Sequence, residues 1–366
     1  MLAVLILVSA SSALGQTPDC WGNFRGNEMF QGISTARIPE KPELLWTFST
    51  GDPVMASPVV CGGTIVVGSR DGNVYGITMD GKLRWKINTE NSIEAPALIA
   101  GNTVYVGNLS GTLYAIEFKT GRVKWTYQTD ADIMGAPNLY VEGNRSIVVV
   151  GSYDYFLHGV DAATGKGIWK YESDNFINGA PALYMGMAVF GGCDGLLHLV
   201  DAGDGSLRER FEIASYVASS SAVDAGRAFV GDYDGRFSCL DIADRELVWS
   251  FENRESRLPF LGSASVSKDR VYIGNQDKMI YCLNKEDGTV VWKLNTGGMV
   301  DASPVLVGER LLVANMRGDL LLLNAGNGEV TWSYELGSAM PGNPAVIEGH
   351  IIVGSEDGSI YCFGTK

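Results

Sequence analysis

The chain has 366 residues, 46% of them hydrophobic, with 46 glycines and 12 prolines, so it can bury a large core and its glycines suit many tight turns rather than disorder. Its 42 acidic residues against 28 basic ones give a formal net charge of -14. That balance, without any cluster of Lys and Arg, excludes nucleic acid as a partner and sets the chain against an anionic lipid surface.

The first element is a short apolar run, Met1 to Leu14, ending in Ala13-Leu14-Gly15. Small residues stand there at the positions a signal peptidase reads, so residues 1–15 are expected to be an export signal and Gln16 the mature start, although no Lys or Arg precedes the run. The run is shorter than the roughly 20 residues that span a bilayer as a helix. Cys20 follows Thr17-Pro18-Asp19, which does not read as a lipidation site, so the exported protein is expected without a lipid anchor. Residues 16–42 form a leader segment, and residues 43–366 are expected to form one domain.

From Trp46 onward one repeat position recurs: Trp46, Trp85, Trp125, Trp169, Glu209, Trp249, Trp292 and Trp332, at spacings of 39, 40, 44, 40, 40, 43 and 40 residues. A fixed period near 40 marks a repeat architecture in which each unit buries its faces against its neighbours. The third unit runs GAPNLYVEG, SIVVVGSYDY, FLHGVDAATGKGIW, which reads as four short strands joined by hairpins. Most units place Asp-Gly or a relative between the second and third strands, as at Asp71-Gly72, Asp194-Gly195 and Asp357-Gly358, so these aspartates are turn-formers first. Eight units of this kind predict an all-β, eight-bladed propeller of four-stranded blades. The last unit stops at Lys366 after three strands, while residues 43–50 carry a tryptophan strand with no unit before it. That N-terminal strand is therefore expected to complete the C-terminal blade beside residues 342–363 and leave no unpaired edge.

A second repeat position, four residues before the Pro or its substitute, holds Val54, Ser92, Ile133, Ile177, Val217, Phe260, Val300 and Met340. With the first strand innermost, these residues are expected to ring one mouth of the central channel, joined by Met55, Phe176, Tyr216 and Met299, as an apolar rim for a protein or peptide partner. The competing reading is that they pack blade on blade. The loop Glu252 to Gly262, with Arg254, Arg257 and Phe260, is the best single contact candidate, because Arg beside an aromatic is a common interface anchor. Catalytic signatures are thin: no nucleophile elbow, no phosphate-cradling loop, and three histidines that do not converge in sequence. His158 and His198 share a third-strand repeat position and read as packing residues, so no metal site is expected from them. Glu94, Asp132 and Asp301 fall near the predicted mouth, where a cation would need oxygen ligands. Cys239, Cys282 and Cys362 share one repeat position on different blades, beyond the reach of a disulfide, so mostly free thiols are expected, with Cys20 the least settled.

The stretch Asp161 to Trp169, with weaker copies ending at Trp125, Glu209, Trp249, Trp292 and Trp332, resembles the tryptophan-docking motif of the eight-bladed propellers named after pyrroloquinoline quinone (PQQ) enzymes. The leader Trp21-Gly22-Asn23-Phe24-Arg25-Gly26 resembles the W-x-x-F-R-G segment of many exported members. The resemblance implies the propeller fold over residues 43–366 and a girdle of tryptophans packed against neighbouring blades. One branch of that family, the quinoprotein dehydrogenases, binds PQQ and Ca²⁺ and oxidises alcohols or sugars; many of its members carry a disulfide between adjacent cysteines. No two of the six cysteines here are adjacent. The other branch, the BamB-like scaffolds of the outer-membrane β-barrel assembly machine, is non-catalytic, and this chain resembles it in length. The expectation is an exported, monomeric, non-catalytic scaffold without cofactor that binds protein in the cell envelope; the alternative is a reduced PQQ- and Ca²⁺-dependent dehydrogenase.

Overall fold

The computed structural model describes residues 17–366 apart from Ala214 and Ala218, so the export signal expected over residues 1–15 lies outside the described residues. Eight antiparallel sheets follow one another along the chain as blades one to eight, at residues 59–88, 98–128, 138–172, 182–212, 222–252, 265–295, 305–335 and 345–364. In blade three, Asn138–Glu142, Arg145–Gly151, Phe156–Asp161 and Gly167–Glu172 pair in simple up-and-down order. The β-branched second strand is buried on both faces, whereas the fourth strand alternates and forms the outer edge. Glu43–Ser49 pairs antiparallel with Ser359–Gly364, so the N-terminal strand is the outermost strand of blade eight and closes the ring. No helix among the described residues is long and apolar enough to cross a membrane.

One irregularity recurs in every blade and explains the tryptophan period. The third and fourth strands slip by a bulge at the tryptophan, which sets Trp85 opposite Gly76, Trp169 opposite Gly159, Trp249 opposite Cys239, Trp292 opposite Cys282 and Trp46 opposite Cys362. A bulge sharpens the local twist, and opposite six of the seven indoles stands Gly, Ala or Cys, Leu322 opposite Trp332 being the exception. A Cβ at Gly159 would lie 2.1 Å from the Trp169 ring. This is the physical role of the three repeated cysteines, which are fully buried with burial pushing each thiol up to about 12.

Each indole also reaches the next blade. Trp85, Trp125, Trp249 and Trp292 donate Nε1–H to Phe118, Ala162, Lys285 and Ala325, three residues before Gly121, Gly165, Gly288 and Gly328. Each ring lies flat on that glycine, which has positive φ. An added Cβ would stand 2.5 Å from Trp249 at Gly288 and 2.6 Å from Trp125 at Gly165. At the junction of blades four and five both partners change together. Glu209 replaces the indole and Arg245, at φ 62, replaces the glycine; their side chains form an ion pair at 2.9 Å.

The leader is built into the propeller instead of lying outside it. Trp21 bridges to Val60 of blade one, and Cys20, the cysteine left least settled by the sequence, forms a disulfide with Cys61. The leader then passes once round the channel. Its carbonyls at Trp21, Gly22, Glu28, Met29, Gln31 and Gly32 accept from the backbone N–H groups of Val60, Ile99, Leu183, Val223, Val266 and Leu306. Ile33–Ser34 adds a parallel fifth strand inside blade seven, and Ser34 Oγ donates to Val346 of blade eight. In blade three Asn138 takes over, donating from its side chain to Glu28 and accepting from Asn23. The innermost strand of a propeller blade has a free edge, and this collar satisfies those edges at the end where the innermost strands finish. The opposite end, where they begin, is the mouth.

Candidate binding face at the channel mouth

The innermost strands reach the mouth through a repeated six-residue approach, and its first position is not a rim. Val54, Ile133, Ile177, Val217, Phe260, Val300 and Met340 are all at most 1% exposed. Each sits where the preceding blade ends its second strand in a small residue: Gly354, Gly107, Gly151, Gly191, Gly231, Gly274 and, for Met340, Ala314. A Cβ on Gly107 would come within 2.1 Å of Ile133, so the glycine is the socket for the wedge. The expected apolar rim at these seven residues is therefore corrected to blade-to-blade packing. Blade two also differs in register: Ile93, not Ser92, fills the socket at Gly68, because Pro96 stands one position earlier than Pro58 does.

The residues that do face the mouth come one step later: Met55, Glu94, Met134, Asn178, Leu261, Asp301 and Pro341, all half-buried. Around them the surface is strongly asymmetric. Over blades three to five lies an arc of aromatic rings, with Tyr216 58%, Tyr233 46%, Tyr155 43% and Phe176 38% exposed. Phe176 stacks on Tyr153 at 4.8 Å and touches Tyr155 at 5.2 Å. The arc is held by its backbone: Cys193 N donates to Phe176 O, and Tyr233 N to Tyr216 O. Tyr153 donates to Asn178 at 3.0 Å; burial, then nearby Cys193, Tyr233, Asp132 and Glu94, push its phenol up to about 12, so it stays a neutral donor. Met299 and Arg257 of the expected set are exposed and extend the arc over blades six and seven, with Leu258 beside Arg257. Across the mouth, Arg70 pairs with Glu94 at 2.8 Å beside half-buried Met55 and Pro341.

The acids near the mouth do not converge. Glu94 is engaged by Arg70, Asp301 meets Gln276 at 3.4 Å with its other oxygen unpartnered, and burial raises the Asp301 pKa. Among the described residues no three His, Cys, Asp or Glu side chains gather as a metal would require. The three histidines are committed elsewhere: His158 bridges Asp154 at 3.0 Å and Tyr127 at 3.0 Å, His198 bridges Asp194 at 2.8 Å and Tyr171 at 2.9 Å, and His350 meets Glu348 O at 2.9 Å. In blades one, six and eight a tyrosine four residues after the turn aspartate replaces histidine, at Tyr75, Tyr281 and Tyr361. The turn aspartates thus form the turn and pin the third strand together.

A family model described as outer membrane protein assembly factor BamB matches residues 36–175, 157–295 and 276–366. No curated protein sequence matches the chain significantly. Among solved structures, BamB from Moraxella catarrhalis is similar at 20% identity and a TM-score of 0.75, covering 88% of this chain and all (100%) of that one. A europium-containing methanol dehydrogenase is similar at 14% identity and a TM-score of 0.76, covering 96% of this chain and 99% of its own. A quinohemoprotein alcohol dehydrogenase from Comamonas testosteroni is similar at 13% identity and a TM-score of 0.77, covering 96% of this chain and 81% of its own. At such identities the structural likenesses establish the shared propeller alone. The family model spans the ring from the end of the leader to the C-terminal blade, and the chain belongs to the BamB family of PQQ-like β-propellers.

Proposed function

We propose that this chain is an exported, non-catalytic binding propeller that holds a protein partner in the cell envelope through the aromatic arc at its mouth. The observation that carries the reading is the run of exposed rings Tyr155, Phe176, Tyr216 and Tyr233 on consecutive blades, flanked by exposed Arg257. Exposed aromatics beside arginine are characteristic of interface hot spots, and a contiguous apolar patch is uncommon on a surface without a partner. The Cys20–Cys61 disulfide supports an oxidising compartment, hence export. The BamB family assignment supports a partner that is protein.

The dehydrogenase alternative asks for more than this mouth offers. PQQ would need basic groups for its carboxylates and an oxygen cage for Ca²⁺ beside them; here Arg70 is paired with Glu94, Arg257 stands exposed on the arc, and among the described residues no three acids gather as an oxygen cage. These donors do not fit the group.

The test is retention of envelope proteins on immobilised wild type and on a Phe176→Asp, Tyr216→Asp variant of equal melting temperature. The partner is expected on wild type, with roughly 30-fold weaker binding by the variant, the scale of a lost hot spot. A partner held equally by both would refute the assignment to the arc, and saturable Ca²⁺-dependent PQQ heats in a calorimeter would refute the scaffold reading.

A further inference from the structure

The collared end of the channel holds a cation with no counter-charge among the described residues. Arg25 is 1% exposed and lies in the leader at φ 61. Its Nη2 donates to Ala264 O at 3.0 Å and Ser265 Oγ at 3.1 Å, both at the start of blade six. Gly32 lies against the guanidinium so closely that a Cβ there would stand 1.9 Å from Nη2. The remaining donors, Nε and Nη1, are buried and unpartnered. On the neighbouring blade Ser221, at the repeat position of Ala264, has a buried hydroxyl that is also unpartnered. The two unpartnered groups thus stand at one level of adjacent blades.

A guanidinium keeps its charge in a protein interior, and burial is the sole influence that lowers this one, to about 9. Water in the channel could accept from Nε and Nη1 but would leave the charge uncompensated, and an unpaired buried charge is among the costliest features a fold can carry. An anion answers both needs. It must be small: Phe30, which packs in one cluster with Ala136 and Ala180, and Ser221 are both fully buried. Above the site the channel wall is polar on one side, where Ser220, Ser303, Asn343 and Ser57 accept from the backbone of their neighbours.

We propose that a monovalent inorganic anion of the chloride type binds inside the channel between the Nε and Nη1 edge of Arg25 and the hydroxyl of Ser221, and so neutralises and locks the leader collar. The site is independent of the partner-binding reading of the mouth.

The experiment is thermal unfolding of the exported chain in sodium chloride against sodium gluconate at equal ionic strength, together with diffraction from crystals grown in bromide. Chloride is expected to raise the melting temperature with saturation, as a ligand of the folded state does. Arg25→Gln should abolish that dependence, and Ser221→Ala should shift its midpoint about tenfold, the scale of one hydrogen bond to a charge. Superimposable chloride and gluconate curves for wild type would overturn the proposal, as would a saturable chloride effect that survives in Arg25→Gln. If Arg25→Gln does not fold, the bromide crystals decide: an anomalous peak beside Arg25 supports the site and its absence overturns it.

Discussion

The blade four to five junction permits a double-substitution test of how the ring is sealed. At four junctions an indole lies on a positive-φ glycine and donates to the carbonyl three residues earlier; here Glu209 and Arg245 form an ion pair instead. Replacing both, Glu209→Trp with Arg245→Gly, rebuilds the indole-on-glycine contact, sets the indole opposite Leu199 as Trp332 stands opposite Leu322, and offers Ile242 O to the new Nε1–H. Trp85 and Trp249 are each 7% exposed, so nearly the whole ring would leave water. An indole buries about 150–250 Å², an upper value of about 4–6 kcal/mol. The Glu209 stem already covers part of that area, side-chain ordering costs about 1–2 kcal/mol, and an exposed ion pair is worth about 0–1 kcal/mol. The double variant is therefore expected to gain about 1–3 kcal/mol. Glu209→Trp alone should lose about 1–3 kcal/mol, because Arg245 occupies the place where even a Cβ crowds the ring. Denaturant midpoints for the two single variants and the double complete the cycle. Additivity, or a double variant less stable than wild type, would refute the idea that the pair substitutes for Trp on Gly.

Two further expectations follow from the collar and the turns. The Cys20–Cys61 disulfide spans 41 residues, so Cys20→Ser should cost about 2–4 kcal/mol by loop entropy, and alkylation of the unfolded, unreduced wild type should label four thiols; six would disprove the pairing. Burial would raise the Asp154 carboxyl, but the hydrogen bond and charge of His158, with backbone donors from Asp130 and Phe156, take it down to about 2. A depressed carboxylate contributes stability that is whole above its unfolded pKa near 3.9 and is lost as pH falls toward about 2. Asp154→Asn should flatten the acid limb of stability between those values, and an unchanged acid titration would show that the bridge contributes nothing.

The period, the blade count and the closing strand are legible in the sequence because each rests on a local pattern repeated eight times. The mouth is harder to read. Wedge residues such as Val54 and Phe260 are apolar at the right place for a rim, and only the glycine that ends the preceding second strand shows that a socket awaits them. That signal is in the sequence, at Gly107, Gly151, Gly191 and their counterparts, but it belongs to a different blade. Blade two shifts by one residue because the prolines mislead: Pro96 matches Pro58 by residue type, whereas the strand register aligns it with Ser57. The change at Glu209 is explained once Ala243-Asp244-Arg245 is seen to lack the glycine of its own turn.

The collar is the least legible part, for a physical reason. Six of its links to the blades run through leader carbonyls, which every residue possesses, so no side-chain pattern announces them. Only the positions demanding a special residue leave a trace: Trp21 at the first bridge, Arg25, Gly26 and buried Phe30 at positive φ, and Gly32 beneath the guanidinium. These are residues of the leader's own W-x-x-F-R-G segment and its return. A chain that circles its channel at one end leaves a single mouth for an incoming partner, and at that mouth the small residues of the approach keep the wall narrow while Tyr216, Tyr233 and Phe176 project from the entry loops and turns. On the proposed reading, recognition concerns a surface laid across blades three to five, not a segment threaded through the axis, and substitutions deep in the channel should alter stability before they alter binding.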